Sequence, residues 1–151
     1  MLVLLLGIAV CACTDVRDYE GTWIGPRDGA AAVLHVGVGS DATATLAIGS
    51  IDTHGIAGTL SISGLVAGAS YASIAGAEAD VLSSLTFDGS PDRVYLAFFP
   101  IGDGGGDGLA VIALYDPGKS DPGRVEVRVL RGGQLPLYGI FSLSRSGSVP
   151  S

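Results

Sequence analysis

The side chains that could carry chemistry are few and scattered. His35 and His54 are the two imidazoles, Glu78 and Asp80 form a close acidic pair, and Gly102-Asp103-Gly104-Gly105-Gly106-Asp107-Gly108-Leu109 sets two carboxylates among glycines. A hydrolytic triad needs Ser, His and an acid converging from separate loops, and no Gly-x-Ser-x-Gly elbow marks a nucleophile. Two histidines without a third close ligand make a poor zinc set. Glu78 with Asp80 could share acid–base work but reads more simply as a solvated turn or face. A calcium loop counted from Asp103 would want an acid at its twelfth position, where Leu114 stands, and the Gly-rich segment occurs once rather than in tandem. It is expected to be a flexible hairpin loop. Both histidines are expected at the surface, His35 on a strand face opposite Leu34 and Val36, and His54 in the Asp52-Thr53-His54-Gly55 turn. No catalytic residue, metal or cofactor is expected, and the chain reads as a non-enzyme.

The two remaining reactive groups are Cys11 and Cys13, and their setting is distinctive. An unbroken apolar run, Leu2 to Val10, leads into Val10-Cys11-Ala12-Cys13 and then turns polar. The run is shorter than the roughly 20 apolar residues a membrane-spanning helix needs, and its length suits the apolar region of an export signal. The junction resembles the lipobox of bacterial lipoproteins, with an aliphatic Val10, a small Ala12 and then Cys13; Cys11 stands within it, and no Lys or Arg precedes the apolar run. That resemblance implies cleavage after Ala12, diacylglycerol on the Cys13 sulfur and usually a further acyl chain such as palmitate on the new amino terminus. Each buried methylene contributes about 0.8 kcal/mol, so two or three chains hold a protein on a bilayer. Thr14, where an inner-membrane lipoprotein would carry Asp, leans the resemblance toward the outer membrane, facing the periplasm or the cell surface. An ordinary secretory signal and a buried N-terminal strand are the alternatives.

On that reading residues 1–12 are a signal peptide, 13–20 the lipidated cysteine and a short tether, 21–145 one folded domain and 146–151 a disordered tail. The domain then keeps no cysteine for a disulfide, a thiolate metal site or a nucleophile. The chain has 151 residues and a formal charge of −7, with 12 acids against 3 bases through residue 110 and 3 against 5 beyond it. There is no basic patch and a single lysine, Lys119, so the electrostatic footprint of a nucleic-acid partner is missing. Nothing in the sequence signals an oligomeric state.

The dominant pattern along the domain is alternation of period two, the mark of strands with one buried face. Val33 to Val38, Thr43 to Ile48 and Ile56 to Leu65 are expected as three strands of a meander. Ser70 to Leu85 fits one helix or two short strands, since Ile74, Val81, Leu82 and Leu85 fall near helical spacing. Val94 to Phe99 and Gly108 to Tyr115 are apolar on both faces and are expected centrally. The turn-rich Asp116 to Gly123 precedes Arg124 to Leu130, where Val125, Val127 and Val129 alternate with a solvated face of Arg124, Glu126 and Arg128. A last strand is expected over Tyr138 to Arg145. Eight or nine short strands must close or fold over to hide their edges. The expected fold is all-β, an antiparallel up-and-down barrel of about eight strands, with a two-sheet sandwich as the alternative.

Gly21-Thr22-Trp23-Ile24-Gly25 resembles the opening of the calycins, the lipocalin and avidin barrels, in which Gly-x-Trp begins the first strand and the Trp plugs one barrel end. In lipocalins an Arg from the end of the last strand lies over that Trp, and Arg145 falls at that place. The resemblance therefore implies structural closure by Gly21, Trp23 and Arg145. Biotin binding does not carry over, since such pockets need several Trp and Trp23 is the only one. Together these features point to a lipid-anchored cell-envelope barrel, a binding or structural module for a small apolar ligand, partnered with the membrane through Cys13. The alternative is an envelope enzyme with its site in the barrel mouth. An integral outer-membrane barrel is disfavoured by short strands and too few aromatics for two girdles.

Overall fold

The computed structural model describes residues 15–29, 34–73, 87, 89–101, 107–115 and 123–147. They form a closed, eight-stranded antiparallel barrel in which each strand pairs with the next and the last with the first. The strands are β1 (Gly21–Pro26), β2 (Thr43–Ile51), β3 (Ile56–Ile62), β4 (Val66–Ser73), β5 (Arg93–Pro100), β6 (Asp107–Tyr115), β7 (Arg124–Arg131) and β8 (Leu137–Arg145). Closure by the β1–β8 pairing makes the up-and-down barrel the fold and sets the sandwich aside.

Period-two alternation explains the inside. Ala44, Leu46 and Ile48 of β2 stand opposite Ile62, Leu60 and Gly58 of β3, and Ile112 and Leu114 of β6 stand opposite Val127 and Val125 of β7. These apolar side chains are buried, as are Phe99, Phe141 and Leu143. Each such residue removed from water contributes about 1.5–3 kcal/mol, so one continuous apolar filling holds the barrel. Tyr71 is also buried; it lies across Gly58 in register, and its hydroxyl donates to the Ala47 carbonyl at 3.2 Å. Burial pushes the Tyr71 phenol well above its ordinary range.

Several expected elements differ. Of the expected strand Val33 to Val38, the described residues 34–38 form no strand: His35 and Val36 lie in the long connection between β1 and β2, where Val36 makes one bridge to Tyr138 and Leu34 is exposed. The backbone turns there at Gly37, whose φ is +68°, so the extended run cannot continue. The first strand of the meander is β1 instead. Ile56 to Leu65 is cut short at Ile62 by the turn into β4, which alternation did not reveal because its sequence is mostly Ala, Gly and Ser. No strand is central in a closed barrel, so the two-sided hydrophobicity of β5 and β6 has another cause. Their outer row is partly covered too, with Leu96 and Ala113 buried. Glu126, expected in solvent, is likewise buried on that outer face. It is tolerated there because the Arg128 guanidinium lies 2.5 Å from its carboxylate, and the Phe87 ring lies 4.5 Å from Arg128.

The expected tether is also partly folded. Val16–Tyr19 is a 3-10 turn capped by the Asp15 side chain, and Tyr19 is buried. The hydrophobic leader, Cys11 and Cys13, the segment with Ile74, Glu78, Asp80, Val81, Leu82 and Leu85, the glycines 102–106 and the tail 148–151 lie outside the described residues.

Candidate functional site

Strand direction sorts the barrel into two ends. Gly21, Ile51, Ile56, Ser73, Arg93, Tyr115, Arg124 and Arg145 mark one, and the opposite termini of the same strands mark the other. The first end is plugged. Trp23 is buried, its indole N–H donates to the Tyr19 carbonyl at 2.9 Å, and the Tyr19 ring stacks on it at 5.8 Å. Arg145 pairs with Trp23 across β1 and β8, with its guanidinium carbon 4.9 Å from the Trp ring. The same guanidinium donates to the carbonyls of Glu20, at 3.1 Å, and Asp18. Gly21 opens β1 opposite Ile48 with φ +123°. The three expected closure residues thus meet at one end of the barrel. Tyr19 completes the plug; an aromatic four residues before the Trp was the only hint of it in the sequence.

Beside the plug lies a polar recess of about 670 Å³ lined by Arg17, Glu20, Asp52 and His54 among others. It has the residue types of an active site, but its carboxylate is occupied with folding. Asp52 Oδ1 accepts the backbone N–H groups of His54 at 2.7 Å and Gly55 at 2.8 Å, closing the β2–β3 turn. Those two hydrogen bonds hold the Asp52 carboxyl below its ordinary range. His54 is exposed, and its ring is 3.9 Å from Asp52. His35, expected at the surface, is half-buried; its Nε2 is buried and has no hydrogen-bond partner among the described residues. Burial, then the Arg27 charge, lowers its pKa. Among the described residues no three His, Cys, Asp or Glu side chains converge as a metal set, and no helix is long and apolar enough to cross a membrane.

The apolar opening is at the other end, at the seam between β4 and β5. Among the described residues only Ala72↔Phe98 and Ser73↔Ala97 pair across it, and Ser70 and Tyr71, which would meet Pro100 and Phe99, do not pair there. The cause is local. Leu60 pairs with Ala69 and Ile62 with Val66, which leaves one extra residue on β4, and Gly68 in that bulge has φ +62°. A bulge bends the strand that carries it, and this one falls in the half of β4 without a described partner on β5. There the described residues leave a shallow recess of about 540 Å³ lined by Ile62, Leu65, Val66, Ala67, Ala69 and Pro100, none of them charged. Phe98 and Leu65 stand exposed on β5 and in the β3–β4 turn. Such a wall can bind by burial of aliphatic surface and offers little else. The chain matches no protein-family model, no curated protein and no solved structure.

Proposed function

We propose that this protein is a lipid-anchored lipoprotein of the bacterial cell envelope, carried on the outer membrane by acyl chains on Cys13, whose barrel is a non-enzymatic binding module for a small apolar ligand held at the β4–β5 seam. The observation that carries the ligand half is the contrast between a filled interior and an aliphatic recess where the first half of β4 has no described partner on β5. A calycin holds its ligand inside the barrel, whereas here Phe99, Phe141, Leu46 and Leu60 occupy that space. The ligand site is therefore displaced to the wall, and the calycin likeness is limited to the Trp23 and Arg145 plug. The support for the anchor half is the sequence Val10-Cys11-Ala12-Cys13 behind its apolar run.

Two experiments test the halves separately. Native mass spectrometry of the domain from residue 14, gently purified, is expected to show a co-purifying apolar molecule that is lost in the Ala69→Asp variant. A bare mass that decanol cannot shift removes the ligand reading. Cys13→Ala should move the protein from the detergent-extracted envelope to the soluble periplasm; a variant that stays with the membrane contradicts the anchor.

A further inference from the structure

We infer that the plugged end of the barrel is a membrane-apposed surface, resting on a zwitterionic lipid headgroup layer with the β4–β5 recess turned away from it. This rests on the acylated-Cys13 reading and adds a direction to it. Chain length carries the inference. The side chain of Asp15 caps the 3-10 turn Val16–Tyr19, and in sequence only two peptide steps separate Asp15 from Cys13. Two steps reach at most about 7 Å. The turn itself cannot swing as a linker, because Tyr19 is stacked on Trp23 and the carbonyls of Asp18 and Glu20 hold Arg145. An anchor this short, fixed to one end of the barrel, brings that end to the headgroups.

Charge selects the kind of surface. The connections 74–92 and 116–123 leave and re-enter the barrel at this same end, and their sequences hold six acids, from Glu78 to Asp121, against Lys119. An anionic leaflet repels such an end, while headgroups bearing an ammonium group accept it. The strands, of eight or nine residues on β4 to β8, span about 20 Å along a barrel tilted at about 40°. The recess therefore meets ligands from the aqueous compartment, and the membrane that holds the protein is not their direct source.

Trp23 is the sole tryptophan and lies at the plugged end, so it reports this geometry. The test takes the mature protein from its native envelope, records its intact mass, and reconstitutes it in phosphatidylcholine vesicles with nitroxide on a fraction of the headgroups. The expected result is an acylated mass and loss of most Trp23 emission. Hydrogen exchange is expected to slow over 15–22 relative to the detergent-solubilised protein and to stay unchanged over 132–136, the turn at the far end. An unmodified Cys13 thiol overturns the anchor itself. An acylated protein with unquenched Trp23, or with slowed exchange over 132–136 instead, keeps the anchor and overturns the orientation.

Discussion

Among the described residues two ladders of this barrel show few pairs, and they are treated in opposite ways. Between β1 and β8 two residue pairs close the ring, Trp23↔Arg145 and Ile24↔Ser144; between β4 and β5 there are also two. At the first, side chains and outlying backbone replace the missing ladder. Arg145 bridges the Trp23 ring and two carbonyls, Arg27 makes a further bridge to Phe141, and the Asp28 N–H donates to the Ile140 carbonyl at 2.8 Å. The strands come so close that a Cβ on Gly25 would lie 1.9 Å from the Ser142 carbonyl oxygen. At the second ladder nothing comparable spans the first half of β4 among the described residues, and an aliphatic recess remains. A closed barrel can thus be sealed at one weak seam by long-range polar contacts while a second stays open, where the proposed apolar ligand would sit.

The largest effect expected from breaking this contrast is at Gly25. Gly25→Ala drives a methyl into backbone that cannot move without parting β1 from β8, and it should cost about 3 kcal/mol or leave the domain unfolded; urea denaturation followed by circular dichroism measures it. Next comes Arg145→Ala, which removes the cation over Trp23 and its two carbonyl contacts. A loss of about 2 kcal/mol is expected, with Arg145→Lys recovering part of it. A loss of less than a few tenths would mean that the plug contributes nothing to closure.

Tyr71→Phe is a smaller perturbation, about 1 kcal/mol for the lost hydrogen bond, and it has a signature in pH. The folded-state pKa of Tyr71 is raised, so the stability it contributes is complete below the unfolded value near 10 and declines as pH rises through the folded one. Tyr115 is raised as well, by burial first and then by the Glu126 charge. The wild-type domain should therefore lose stability above about pH 10, and the Tyr71→Phe variant should lose less over that range. Asp52 has the opposite sign. Its pKa is lowered, so its contribution is present above the unfolded value near 4 and is lost as pH falls below it. Asp52→Asn should flatten the acid limb of a plot of melting temperature against pH. The smallest stability change, within about 0.5 kcal/mol, is expected for Leu65→Asp in the exposed β3–β4 turn. That variant sharpens the comparison, because decanol binding should fall while the fold stays.

Most of the barrel was legible in alternation. β2, β5, β6, β7 and β8 are found where period two placed them, because a barrel wall buries every second side chain and the signal survives any detail of closure. β4 was illegible because small residues carry no amphipathic contrast, and the Val33 to Val38 run misled because its alternation ignores the backbone turn at Gly37. The buried Glu126 was hidden for another reason: an alternating Arg-Val-Glu-Val-Arg strand looks the same whether its charged face meets water or a neighbouring ring such as Phe87. The plug was half visible. Trp23 and Arg145 are legible through their positions at the strand ends, whereas the part played by Tyr19 depends on a turn that tether-like composition concealed. The recess was not readable at all, since it arises from a one-residue bulge and the register it imposes across β4.

The claim on which the account turns is that the apolar site is in the wall at β4–β5 and neither inside the barrel nor at its plugged mouth. Backbone amide shifts of the nitrogen-labelled domain, followed during titration with decanol, test it most directly. The account predicts saturable shifts clustered at 62–69 and 98–99, with the amides of 19–23 and 52–56 left in place. Shifts centred on Trp23 and His54, or spread over the buried faces of β6 and β7, would contradict it.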